Sequence, residues 1–181
     1  DTLIVGGLFS KNLLTGDLRS ELENRGVTIL LPDPTELSMN GNTQEDVGPE
    51  FTRRAIEAIN NAQSVFWEGP LGRYRDPQSK SLEVARAIAS WVSEDPKRRA
   101  FISGGSTSFL FKEANGWDEA QRTQAKGITV STGGGTSIFY FAHRGYLPGI
   151  EGLRGWEPQG HVDLKKYPDF WRDILKDPRT F

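Results

Sequence analysis

The sequence predicts an α/β fold with a mainly parallel sheet and helices on both of its faces. Short apolar runs alternate with stretches of helical periodicity along most of the chain. Several of those runs end on glycine: Gly6-Gly7, Gly69 to Gly72, Gly104-Gly105 and Gly133-Gly134-Gly135. The length of 181 residues is enough for one domain with a full hydrophobic core.

Each element has a local reason. Thr2 to Val5 is a short apolar strand closed by Gly6-Gly7. Asp17 to Asn24 reads as a polar helix with Gly26 as its C-terminal cap. Val27 to Leu31 is β-branched and apolar, and Pro32 stops it. Asp33 to Gly48 is polar and turn-rich and reads as a long loop. Pro49 opens the next helix, in which Phe51, Ala55, Ile56 and Ile59 share a face. Ser64 to Trp67 reads as a buried strand, followed by Glu68 and the Gly69-Pro70-Leu71-Gly72 loop. A helix over about Ser81 to Val92 presents Leu82, Ala85, Ile88, Ala89 and Val92 as its apolar side. Ala100 to Ile102 is a strand that runs through Ser103-Gly104-Gly105-Ser106-Thr107 into another apolar helix. Ile128 to Val130 is the last strand, and Thr136 to His143 a helix ended by Gly145.

Composition narrows the function. Apolar residues make up 36% and charged residues 25%, ordinary to low for a globular protein. The formal net charge of −2 mixes both signs, so there is no basic footprint for nucleic acid. No apolar run is long enough to span a bilayer, so no membrane partner is expected. The absence of cysteine excludes disulfides and thiolate metal sites, which fits a reducing intracellular compartment such as the cytoplasm. The chain opens on Asp1 and runs straight into a strand, with no signal-peptide pattern. Its lack of an initiator methionine fits a processed chain or a piece of a longer one.

Glycine after a strand lets backbone approach a ligand, and a helix start beyond it offers unpaired amides and partial positive charge. Gly133-Gly134-Gly135 is the first candidate for a phosphate site. Gly104-Gly105, with the hydroxyls of Ser106 and Thr107, is the second. Each loop alone is also a tight strand-to-helix turn with a Ser or Thr cap. Together, at the carboxyl edge of one sheet, they mark the place where open α/β folds bind ligands. Neither the P-loop nor the dinucleotide-binding fingerprint is present.

In order along the chain, several segments carry a resemblance. They are Asp1 to Gly7, Asp46-Val47-Gly48-Pro49, Trp67-Glu68-Gly69-Pro70-Leu71-Gly72, Ser103 to Thr107, Ser131 to Gly135 and Leu147-Pro148-Gly149-Ile150. Over roughly residues 1 to 153 the chain resembles the C-terminal, nucleotide-binding lobe of phosphoglycerate kinase. The resemblance implies a Rossmann-like three-layer sandwich with a mainly parallel sheet of about five or more strands. It also implies a site for ADP or ATP with Mg. Gly6, Gly7, Glu68, Pro70 and Gly72 would line the adenosine pocket. Phosphates would lie toward Gly104, Gly105, Ser106, Thr107, Gly133, Gly134 and Gly135. In the family a separate N-terminal lobe binds the phosphoglycerate, and closure aligns it for in-line phosphoryl transfer.

The departures are specific. Ser106 stands where the family holds the metal-nucleotide with an aspartate, which weakens any metal-nucleotide site. Arg75 stands in place of the ribose-binding glutamate, and Glu68 in place of an asparagine. Leu8 replaces a small residue, and Phe9 and Leu13 fall where two phosphate-binding lysines are usual. Lys11 substitutes only if the loop is rearranged. Arg73 and Arg75 read as a solvated loop face before they read as phosphate binders, and Lys11 and Lys80 carry the same ambiguity. Asp46 matches the family's interlobe aspartate, with a turn or cap role equally open. His143 and His161 lack metal-ligand spacing and read as structural. No catalytic residue and no metal ligand is assigned.

From about residue 154 to 181 the chain has no counterpart in the family pattern. Pro168 starts a short helix with Phe170, Trp171, Ile174 and Leu175 on one face, to pack on its own domain or on a partner. The expected function is a degenerate phosphoglycerate-kinase-like domain, inactive alone, serving as a structural or interaction module with weak nucleotide binding. Its expected partner is another protein or the missing N-terminal lobe. The alternative is the nucleotide-binding half of an active glycolytic phosphoglycerate kinase. A third reading is a module that senses a phosphate-bearing ligand through backbone amides alone.

Overall fold

A computed structural model describes residues 1–6, 17–40, 43–72, 76–116, 127–147 and 149. The chain forms two compact units, Asp1–Ile138 and Phe139–Phe181. The expected helix over 168–175 in the tail lies outside the described residues, as do Gly7, Leu8, Phe9, Lys11, Leu13, Arg73, Arg75 and His161.

The first unit is α/β, as the sequence predicts. Its elements run β1 (Thr2–Ile4), α1 (Asp17–Asn24), β2 (Thr28–Leu30), a 3-10 turn (Pro34–Glu36), β3 (Leu37–Asn40), β4 (Thr43–Val47), α2 (Pro49–Asn60), β5 (Ser64–Glu68), α3 (Lys80–Glu94), β6 (Arg99–Ser103), α4 (Gly105–Asn115) and β7 (Ile128–Ser131). A last helix, α5 (Gly135–Ala142), continues into the second unit. Strand β1 pairs in parallel with β2, and β5, β6 and β7 form a parallel sheet in that order. Among the described residues the expected single sheet is thus two parallel pieces. They approach each other where the backbone of Gly6 meets the side chain of Leu71.

Alternation along the strands decides which face is core. Val65, Trp67, Ala100, Ile102, Ile128 and Val130 point one way and pack with Phe51 and Ile59 of α2, Val84, Ile88 and Trp91 of α3, and Leu110 and Phe111 of α4. Strand β5 is therefore buried on one face only, not throughout. Phe66 is 46% exposed on the other face, where it stacks on its cross-strand neighbour Phe101 at 5.4 Å. Helix α3 packs against both α2 and α4. Its buried arc is correspondingly wide: Ser81, Val84, Ala85, Ile88, Trp91 and Val92 are buried, whereas the expected core residues Leu82 and Ala89 are only partly so. On α2 the expected face holds, with Phe51, Ala55 and Ile59 buried and Thr52 beside them.

The segment 33–48 is not the loop its polarity suggests. It holds the 3-10 turn and the antiparallel β3–β4 hairpin, with a register shift between Ser38 and Met39. Three of its carboxylates, Asp33, Glu36 and Asp46, cap helix starts. Asp33 and Glu36 form a capping box on the 3-10 turn, and Glu36 goes on to accept the Phe51 amide at the start of α2 at 2.5 Å. Glu36 also pairs with Arg54 at 3.0 Å. Gly48 permits this approach, since a Cβ there would lie 2.9 Å from the Glu36 Cβ.

Asp46 accepts the Lys80 amide at 2.7 Å, the first helical position of α3, and the Val47 amide at 2.9 Å. Of the two roles open in the sequence for Asp46, the structure supplies the cap. Burial pushes the Asp46 carboxyl above its ordinary range, against the lowering effect of the Lys80 and Val47 amides and the Ser79 hydroxyl.

Two outcomes follow from these caps. Glu36→Ala removes an acceptor for two amides and the partner of Arg54, and it should cost about 2 kcal/mol in urea unfolding; a loss below ~0.5 kcal/mol would show that the α2 start has other partners. Because the folded-state carboxyl of Asp46 titrates above its unfolded value, its favourable contribution is full below that value and fades as pH rises through the folded one. The stability of Asp46→Asn relative to the parent should therefore rise from acid toward neutral pH, as read by denaturation at several pH values. A difference that is flat or falls with pH contradicts the burial of the charge.

Candidate functional site

The parallel register of β5, β6 and β7 brings their carboxyl ends to one level, with Glu68 opposite Ser103 and Ser103 opposite Ser131. Beyond that level each strand turns on a glycine with positive φ: Gly69 at 84°, Gly104 at 95° and Gly134 at 48°. The turns are stitched sideways. The Gly69 amide donates to Thr107 Oγ1 at 2.9 Å, and the Gly104 amide donates to the Ser131 carbonyl at 2.9 Å. Ser103 Oγ donates to the Gly134 carbonyl at 3.3 Å, and Ser108 Oγ to the Ser131 carbonyl at 2.9 Å.

The result is a close meeting of backbones. A Cβ added at Gly104 would lie 3.3 Å from Thr107 Oγ1, 3.5 Å from Glu68 Oε1 and 3.9 Å from the Gly134 Cα. One added at Gly134 would lie 3.6 Å from the same Glu68 oxygen and 3.7 Å from the Gly104 Cα. The end of β1 joins from the side: a Cβ on Gly6 would strike Leu71 Cδ2 at 2.5 Å. Leu71 is itself buried, and its amide donates to Ser81 Oγ at 2.8 Å, which ties the loop to the first turn of α3.

Helix α4 begins at this meeting point. Gly104 is its N-cap and supplies no side-chain hydrogen bond, so the cap residue leaves the first-turn amides unsatisfied. Gly105 is exposed and Ser106 half-buried. Both line a groove of about 780 Å³ together with Asp76, Pro77, Leu82, Arg86, Phe109 and Glu113. Within that lining Arg86 sends its Nε to the Ala114 carbonyl at 3.1 Å. Among the described residues no group of three or more His, Asp or Glu gathers as a metal site would require.

The structure therefore brings together Glu68, Gly104 and Gly134, with Thr107 beneath them, and sets Gly6 and the 69–72 loop beside this cluster. Pro70 and Gly72 are half-buried in that loop. Gly133 donates its amide to Ser131 Oγ at 3.1 Å, and Gly135 opens α5 in an exposed position. Thr107 is 1% exposed and its hydroxyl holds the Gly69 amide, so it shapes the hollow from inside. Gly7 lies outside the described residues. Lys80 is engaged by Glu83 at 2.5 Å. His143, in the second unit, rests against the Phe139 ring at 4.0 Å.

Sequence reasoning passed over the buried hydroxyls of Ser81, Ser108 and Ser137, although small polar residues just inside a predicted helix start are the pattern that stitches strand to helix.

The family description of phosphoglycerate kinase matches residues 19–144. A phosphoglycerate kinase of Chlamydia pneumoniae is 31% identical over 148 residues, which cover 72% of this chain and 34% of that protein. One of Bdellovibrio bacteriovorus is 36% identical over 111 residues, covering 60% of this chain and 24% of its own. The chain thus spans about a third or less of the length of these curated relatives. In fold it is similar to the phosphoglycerate kinase of Coxiella burnetii, with a TM-score of 0.59 and 20% identity over 86% of this chain and 46% of that one. With a match over most of its length, the chain belongs to the phosphoglycerate kinase family.

Proposed function

We propose that this chain is a nucleotide-side lobe of the phosphoglycerate kinase type that has lost phosphoryl transfer on its own. In this reading it serves as a structural or interaction module with residual affinity for ADP or ATP. The observation that carries the proposal is the composition of the strand-end hollow. Its backbone is a set of glycine turns with Gly104 close to Gly134, but the carboxylate beside them is Glu68, and the first turn of α4 offers Ser106. A hard divalent cation on a nucleotide is held by one or two carboxylates besides the phosphates. Serine supplies no such charge, so the described residues fit a nucleotide better than its magnesium complex.

The amides at the α4 start and the glycine turns would hold phosphate oxygens, and the half-buried Gly6 and 69–72 stretch would face the nucleoside. Bound magnesium would supply charge neutralisation for transfer. None of the described residues is assigned to the acid substrate. That role falls to a separate lobe, whether on the same longer chain or on a partner. A second reading, the nucleotide half of a working kinase, is favoured by one fact: the match covers only about a third or less of each of these relatives. The described helices include none long and apolar enough to cross a membrane, and we place the protein in a reducing intracellular compartment.

Thermal-shift titration with ADP, with and without magnesium, should give a melting temperature that climbs with ligand concentration and is little helped by the metal. The pair Ser106→Asp and Arg75→Glu should then make binding magnesium-dependent and tighter by about tenfold. No shift with ADP in either protein would remove nucleotide binding from the account. The purified chain should show no phosphoryl exchange between 1,3-bisphosphoglycerate and ADP, and measurable turnover would favour the working kinase.

A further inference from the structure

Glu68 is the last residue of β5, and its carboxylate stands at the mouth of the glycine hollow. Its Oε1 comes within 3.5 to 3.6 Å of the places where side chains on Gly104 and Gly134 would begin. The carboxylate is exposed and forms no side-chain hydrogen bond or ion pair with another described residue. The backbone it approaches is Gly104, the N-cap of α4, and Gly134, just before α5, and the amides of helix starts carry partial positive charge. An anion placed against such amides is favourable, and a second anion beside the first is not.

We propose that Glu68 acts as an internal anion that occupies the phosphate end of the hollow and sets its preference against phosphorylated ligands. The inference rests on the nucleotide-lobe reading above and deepens it. The chain's own carboxylate takes up the attraction of the glycine turns, so the ligand charge tolerated there is lowered. A nucleoside fits the remaining surface without conflict. A nucleotide must push the carboxylate aside or sit within a few ångströms of it. Because Oε1 is a terminal atom on a flexible side chain, neutralising it leaves the glycine backbone where it is.

The test compares the parent with Glu68→Gln, and with Glu68→Asn as a shorter neutral variant, by calorimetric titration with adenosine, ADP and inorganic phosphate without magnesium. Circular dichroism confirms that each variant is folded. Adenosine, which carries no charge, should differ far less between parent and variants than ADP does. ADP should bind the variants about tenfold tighter or more, with the advantage shrinking as salt rises. Inorganic phosphate should raise the melting temperature of the variants and leave the parent unchanged. Equal ADP affinity in all three proteins, with adenosine still bound, would overturn the role of Glu68 and leave the nucleotide-lobe reading standing. Weaker ADP binding in the variants when magnesium is added would also overturn it, by making Glu68 a metal ligand. No binding of adenosine or ADP to any of the three would defeat both readings together.

Discussion

The structure depends on three parallel strands being in register, so that β5, β6 and β7 run out at one level. Parallel pairing leaves the loops no freedom to start at different depths. Each strand must turn within a few ångströms of the next, and two turns approach each other at Gly104 and Gly134. Side chains at those positions would meet each other, the Thr107 hydroxyl and the Glu68 carboxylate, and both positions also hold positive φ. Conformation is what requires glycine at both, while an added Cβ would fill the gap between the turns at ordinary contact distance. The helix starts that follow inherit their aim from the same turns.

What holds the edge in place lies partly outside the sheet. Before α2, the 3-10 turn sends Glu36 to the first turn of that helix and the hairpin sends Asp46 to the first turn of α3. Helix α3 in turn fixes the loop after β5 through Ser81 and the Leu71 amide. A charge on a strand of the hairpin is thus connected, through a cap and a buried hydroxyl, to the loop that frames the candidate site. The half-buried Asp46 carboxyl shows what this arrangement costs, since burial disfavours its charged form even with amides to bond.

Much of this was legible in the residues. Glycines after apolar runs marked the strand ends, Pro49 marked the start of α2, and a helical period of apolar residues marked its core face. The family resemblance was legible for the same reason, because its motifs are those turns. The hairpin was not, since Thr43 to Asp46 is an unbroken polar run that reads as a loop, and Val47 is the one apolar residue of the strand. Its one sequence sign was the Gly41-Asn42 pair that follows Asn40 and precedes Thr43. Phe66 was misplaced because an apolar run does not reveal that only one face of its strand joins the core. The burial of Val84 and Trp91 depends on α3 having neighbours on two sides, which no local period encodes. The proximity of Glu68 to two distant glycines is a property of register, and only the folded chain discloses it.

The central claim is that separate strand-end turns form one shared surface for a ligand. The most direct measurement is a titration of the isotopically labelled chain with ADP, followed by amide nuclear magnetic resonance. The account predicts that the amides of Gly69, Gly104 to Ser106 and Gly133 to Gly135 shift together, with one common affinity. Shifts confined to one turn, or gathered on residues far from all of them, would contradict it.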